Sequence, residues 1–134
     1  MLSSNGSIGN LLFDSDKHFE FYSCNYMRYE IHKHWDRLKE ISKLTDDQLE
    51  ISYIQVLSKI NFINEDLIGE EIWLAAESLT KGIDVDDTDF VAMTLFLKGY
   101  LWTGDKALYK GLKKLHFKRA LNTTDLSELR LSRM

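Results

Sequence analysis

Two rhythms of apolar positions run along this chain. Between Asn25 and Ser42, Ile31, Trp35, Leu38 and Ile41 recur at spacings of four, three and three, the repeat of one buried helix face, with Asn25 as its cap. Thr45 followed three residues later by Gln48 matches a capping box, and Leu49, Tyr53, Val56, Leu57 and Ile60 form the stripe of the next helix. Glu70 to Lys81 reads as a helix with Ile72, Leu74, Ala75 and Leu79 apolar and Gly82 at its C-cap. Another helix runs from about Asp87 to Lys98 and stops at Gly99, and a short one covers Lys106 to Lys110. A closing helix, DLSELRLSR, has Thr123 or Thr124 as its cap. The second rhythm is short and aromatic or β-branched: FEFYSC at 19 to 24, INFIN at 60 to 64, YLWT from Tyr100, and FKRAL near the end all read as strands. Tyr100 and Trp102 flank Leu101 in phase, and both are expected in the core. Ahead of the first strand, a polar lead, SSNGSIGN, runs into one short helix with Ile8, Leu11, Leu12 and Phe13.

Helices alternating with short strands predict an α/β fold, a three-layer α/β/α domain on a mostly parallel sheet. With 134 residues, 44% of them apolar, the chain can build one core, and neither repeats nor a linker divide it, so 1–134 is expected to be a single domain. No apolar run reaches the roughly 18 to 20 residues a membrane span needs, and MLSSNGSIGN has no signal-peptide pattern. The lone cysteine, Cys24, excludes an internal disulfide, fits a reducing, cytoplasmic setting, and is expected to be a small buried side chain.

Charge changes the picture locally rather than globally. The formal net charge is −4, yet KALYKGLKKLHFKR carries Lys106, Lys110, Lys113, Lys114, Lys118 and Arg119 and no acid. Such a run suits phosphate contacts, with Tyr109 and His116 as stacking groups, or simply a solvated helix face. Upstream, DVDDTDF places Asp84, Asp86, Asp87 and Asp89 within six positions. A helix N-terminus can accommodate one or two of these acids through its free amides, but not readily all four. An EF-hand beginning at Asp84 fails, because Asp89 stands where glycine is needed and Leu95 where a bidentate glutamate is needed. Mg²⁺ or Mn²⁺, which takes two or three carboxylates and keeps several waters, fits better. Glu30, Asp87 and Asp105 each fall near the end of a predicted strand or start of a helix, where ligands of an open parallel sheet converge. Helix capping and solvation are the competing account of the same acids. His32 and His34, two apart on a helix, face different directions and do not make a zinc pair.

The ordered combination of NYMRYEIHKHW, DDTDFVAMTLFLKGY and LWTGDKAL resembles the PIN domain family of small metal-dependent ribonucleases, and the resemblance covers almost the whole chain from Leu2. It implies that Glu30 is the family's second acid, Asp87 its third, with Asp86 a neighbour able to share that role, and Asp105 its fourth, supported by Thr103. It also implies hydrolysis of single-stranded RNA with Mg²⁺ or Mn²⁺, as in toxins paired with antitoxin proteins. The family opens with a strand carrying a first aspartate, and LSSNGSIGNLLF resembles the segment just after it. The recorded start is therefore expected to lie inside a longer reading frame. Asp14 and Asp16 are poor substitutes for the first acid. Two readings follow: an endoribonuclease, or a catalytically impaired PIN-fold module that binds RNA or protein, with a homodimer expected to cover the missing strand.

Overall fold

The structure, a computed structural model, describes residues 19–132. The chain divides into two compact units, Met1–Ile63 and Asn64–Met134.

In the first unit, strand β1 (Phe21–Cys24) pairs in parallel with β2 (Ile60–Ile63), Phe21 opposite Ile60 and Cys24 opposite Ile63. Three helices connect them: α1 (Tyr26–Lys33), α2 (Trp35–Ser42) and α3 (Asp46–Ser58). A parallel pair needs such a crossover, since the end of one strand and the start of the next lie at opposite ends of the ladder. The continuous helix expected over residues 25 to 42 is broken at His34, whose backbone (φ −106°, ψ 19°) leaves the helical region. The break swings Ile41 out to 66% exposure, so the expected stripe does not reach it. Asn25 begins α1 without a side-chain cap. At α3 the capping box forms as the sequence predicts: Thr45 Oγ1 accepts from the Gln48 amide at 3.2 Å and Gln48 Oε1 from the Thr45 amide at 3.0 Å. Leu49, Tyr53 and Val56 then turn inward. Trp35 meets Tyr53 edge to face at 5.6 Å, tying α2 to α3, and Arg28 lies 3.9 Å over the Phe62 ring. Cys24 is fully buried on β1, as expected of it.

The second unit starts with a 3-10 turn (Glu65–Leu67) and α4 (Glu70–Thr80). A further 3-10 turn (Val85–Asp87) runs directly into α5 (Thr88–Leu97). Strand β3 (Leu101–Trp102), helix α6 (Lys106–Lys114), strand β4 (Ala120–Leu121) and α7 (Thr123–Ser132) complete it. Strands β3 and β4 are parallel, with the Leu101 amide donating to Arg119 O at 2.8 Å and the Thr103 amide to Leu121 O at 3.0 Å. Helices α4 and α5 bury Ala76, Val91, Ala92 and Met93, and Leu108, Leu112, Ala120 and Leu126 close the core from α6, β4 and α7. Thr80 Oγ1 donates to Ala76 O and meets Thr88 Oγ1 at 2.7 Å, so both buried hydroxyls are satisfied.

The fold is thus α/β with short parallel strands flanked by helices, but the expected continuous sheet is replaced, among the described residues, by two separate two-stranded sheets. Each pair closes inside its own strand–helix–strand crossover, and hydrophobic periodicity cannot report which ladders join. Smaller corrections share one cause, that tertiary packing chooses the phase. On α4 the buried positions are Ala76 and Thr80, while Leu74 is 55% exposed and Ala75 is also outside. Tyr100 is 55% exposed rather than core, because Leu101 takes the inward position on β3, and Trp102 is half-buried with Nε1 donating to Thr123 Oγ1. Neither Gly82 nor Gly99 adopts a left-handed conformation; α5 ends instead on Lys98 at φ 55°. Helix α6 continues past Lys110 to Lys114.

The cap of α7 is Asn122 rather than Thr123 or Thr124. Its Oδ1 accepts from the Asp125 amide at 2.7 Å, and Asp125 Oδ2 accepts from the Asn122 amide at 3.2 Å. Tyr109 on α6 donates its hydroxyl to the same Asp125 oxygen at 2.7 Å, joining two helices. The Tyr109 hydroxyl, then the Asn122 amide, hold the Asp125 carboxyl below its usual 3.8, with Lys113 adding a smaller pull. A lowered carboxyl pKa contributes stability that is present above the unfolded value and lost as pH falls through the folded one. Asp125→Ala should therefore cost about 1 to 2 kcal/mol at pH 7, two hydrogen bonds' worth. In urea melts that difference should narrow below about pH 4; an unchanged gap at pH 3 would contradict the assignment.

Candidate metal centre

Three aspartates of the second unit meet where three helical turns begin. Asp84 precedes the 3-10 turn and its Oδ1 accepts from the Asp86 amide at 2.9 Å. Asp87 ends that turn and stands at the N-cap of α5, half-buried, with Oδ2 shielded from water. Asp105 caps α6: its Oδ1 accepts from the Ala107 and Leu108 amides at 2.9 and 3.1 Å. Thr103 Oγ1 accepts from the Asp105 amide at 3.0 Å and so fixes the backbone just before that helix. One carboxylate oxygen from each of Asp84, Asp87 and Asp105 lies within 4.8 Å of the others.

Sequence order makes this convergence possible. Asp84 and Asp87 are separated by one 3-10 turn, which returns their side chains to the same side. Asp105 arrives from the far end of β3, the carboxyl end of a parallel strand, where ligands of α/β folds collect. Three like charges at this separation repel by about 1 kcal/mol per pair in water. The amides at the helix starts offset part of that, and a hard cation would offset the rest. The donor set is all carboxylate oxygen, which suits Mg²⁺ or Mn²⁺ rather than a soft metal. An octahedral ion at about 2.1 Å needs neighbouring ligand oxygens about 3 Å apart. Asp84 and Asp105 are exposed, and each commits only its Oδ1 to backbone amides, leaving its second oxygen for an ion. The residues fit a hard divalent ion.

The structure therefore brings Asp87 and Asp105 together and adds Asp84, which the sequence reading did not assign as a ligand. The signal available was the D-x-x-D spacing itself. Asp86 is exposed, and its amide serves Asp84. Glu30 lies in the first unit on α1, half-buried, with Oε2 3.3 Å from His34 Nε2. Asp89, in the first turn of α5, has its carboxyl raised above 3.8 by partial burial and then by the charge of Glu65. His32 is exposed, with Nδ1 2.8 Å from Arg28 O.

Helix α6 leads away from the cluster carrying Lys106, Lys110, Lys113 and Lys114, at offsets of four, seven and eight from the first, hence on one face. All four are exposed, as is Lys118, while Arg119 is half-buried with its guanidinium 5.4 Å from the Phe117 ring. The stripe is about 12 Å long at 1.5 Å per residue. Among the described residues none of the six cations sits within salt-bridge distance of an acid; Lys113 instead donates to Lys118 O at 3.2 Å and lies 5.4 Å from the Tyr109 ring. Tyr109 is committed to Asp125, whereas His116 is exposed, in a left-handed turn at φ 64°.

A family model described as PIN domain matches residues 2–129, nearly the entire chain. No curated protein and no solved structure matched it.

Asp105 combines a cap and a ligand role, and two substitutions separate them. Asp105→Asn keeps a good N-cap and should change stability by only a few tenths of a kcal/mol, whereas Asp105→Ala should lose about 0.5 to 2 kcal/mol. Both should lose any Mn²⁺ bound at the cluster. Equal stability of the two variants in urea titrations would show that the cap carries no weight.

Proposed function

The chain belongs to the PIN domain family, and from that premise we propose that it is a divalent-metal- and RNA-binding module whose own phosphodiester hydrolysis is impaired. The observation carrying the proposal is the approach of Asp84, Asp87 and Asp105 to within 4.8 Å at the start of a helix bearing an unpaired lysine stripe. An acidic cluster beside a cationic track is what a metal-bridged phosphate requires: the track would hold the neighbouring backbone phosphates, and the ion would neutralise the one at the cluster. Lys106, Lys110, Lys113, Lys114 and Lys118, with Arg119, are the proposed phosphate contacts. Single-stranded RNA is the proposed ligand by family membership. Mg²⁺ and Mn²⁺ are the proposed ions, held in the second unit by Asp87 and Asp105 together with Asp84; Glu30, on the first unit, is the acid that the family resemblance assigns.

Impairment is supported by how open the cluster is. Two of its three carboxylates are exposed, so water screens their field and weakens the electrostatic stabilisation on which hydrolysis depends. Glu30 is at the same time engaged by His34. The second reading is an active endoribonuclease of the toxin type, with an antitoxin partner and a homodimeric form, and the three-acid cluster favours it. When bound, a divalent ion would supply an activated water and charge stabilisation on the phosphoryl oxygens. The chain's part would be orientation: Asp105 fixed by two α6 amides and Thr103, Asp87 by the start of α5.

Mn²⁺ at a hundredfold excess over its Kd should stabilise the chain by about 2.7 kcal/mol, read as a rise in melting temperature, and should leave D87N/D105N unmoved. No shift in the unaltered chain would sink the metal site. For RNA, the log–log salt slope should become shallower by about 1.4 in K110A/K114A, two single-strand phosphate contacts at about 0.7 each; a slope indifferent to both lysines would place the RNA elsewhere. Metal-dependent cleavage of a single-stranded RNA, absent in D87N/D105N, would favour the second reading over the first.

A further inference from the structure

Gly111 is the one residue of α6 whose missing side chain is filled by a neighbour. A Cβ built there would lie 2.7 Å from Cγ1 of Ile83, closer still to Cδ1, and 3.6 Å from Cγ2. Separations under 3 Å are not sustained between carbon atoms, so one element would have to move. Ile83 cannot simply swing aside. It is β-branched and stiff at χ1, and turning its Cδ1 away leaves the Cγ1 overlap in place. Gly69, Gly82, Gly99 and Gly104 by contrast meet nothing within 4 Å, so the close approach is specific to this point among those glycines. No turn geometry asks for glycine there either: Gly111 lies inside a helix and has no positive φ, where glycine is otherwise unfavourable.

The two ends of this contact lead directly to the acidic cluster. Ile83 directly precedes Asp84 in the chain, so a shift of Ile83 is passed to the turn that carries Asp84 and Asp87, while its amide, donating to Thr80 O at 2.9 Å, holds it to the end of α4. Gly111 sits six residues, about 9 Å of helix, beyond Asp105, on a helix whose first turn is locked by the Asp105 cap. We propose that Gly111 and Ile83 are positioning residues for the metal centre. The absent Cβ sets how closely α6 approaches the Ile83–Asp87 segment, and through it the separation of Asp105 from Asp84 and Asp87. Ligand distances to a hard ion tolerate only about 0.2 Å, less than the displacement a methyl group would force here. This inference rests on the metal-binding reading of the three aspartates.

The test is Mn²⁺ affinity by titration calorimetry on the full chain, with far-UV circular dichroism as the check on folding. Gly111→Ala should retain the helical spectrum while Mn²⁺ binds about tenfold more weakly, the scale of lost outer-shell support. The double variant G111A/I83A removes the colliding Cγ1 and Cδ1 and should return affinity to within about threefold of the unaltered chain. A folded Gly111→Ala that binds Mn²⁺ as tightly as the unaltered chain overturns the proposal and leaves the metal-binding reading intact. Should the single variant fail to fold, the double variant decides: restored affinity supports the positioning role, and affinity still tenfold weaker overturns it. An unaltered chain that binds no Mn²⁺ overturns the underlying reading and this inference with it.

Discussion

Three carboxylates held within a few ångströms at the protein surface repel one another, and the second unit is arranged around making that repulsion tolerable. Asp84, Asp87 and Asp105 each stand at the beginning of a helical turn, where backbone amides would otherwise lack acceptors. At Asp84 and Asp105 the amides stabilise the charges and the carboxylates satisfy the amides, whereas Asp87 stands at its helix start without a side-chain cap bond. Capping and metal ligation are therefore compatible roles here, because a carboxylate has two oxygens: Asp105 commits Oδ1 to α6 and retains another. The bland account of these acids as helix caps and the chemical account of them as ligands describe the same geometry from two sides.

That geometry also links the cluster to the scaffold. Helix α6 is fixed at its start by Asp105, in its middle by Gly111 against Ile83, and through Tyr109 to the cap of α7. One short helix thus carries a ligand, a packing contact and the basic stripe. Its lysines diverge from the acids along the axis instead of pairing with them, and among the described residues they remain without salt bridges. Stability alone does not ask for such a segregation of charge. The proposed binding of a polyanion, with a divalent ion at one end and lysines along the other, would.

Much of this could be read from the sequence. The capping box of α3, the strands at β1 and β2, the helices α4 to α6 and the burial of Cys24 all follow from patterns a few residues wide, where local hydrogen bonding and side-chain period dominate. The approach of Asp87 to Asp105 was also legible, one acid at a predicted helix start and the other just after the strand-like YLWT. Residue order does not single out Asp84 as a ligand, because its neighbours Asp86 and Asp87 carry the same charge and only the path of the 3-10 turn distinguishes them. Errors of phase have the same origin. Leu74, Ile41 and Tyr100 are apolar at plausible positions, yet packing turned each of them outward.

By itself the sequence determined the local elements and the family, because capping, periodicity and ordered motifs act over short stretches and leave marks in residue order. Only the tertiary structure decided that the strands pair as two separate parallel ladders and that Asp84 joins Asp87 and Asp105. It also decided that α6 approaches the Ile83 turn at a glycine. Those outcomes depend on which distant surfaces meet and how closely, and the spacing of residues along a chain does not encode a distance across space.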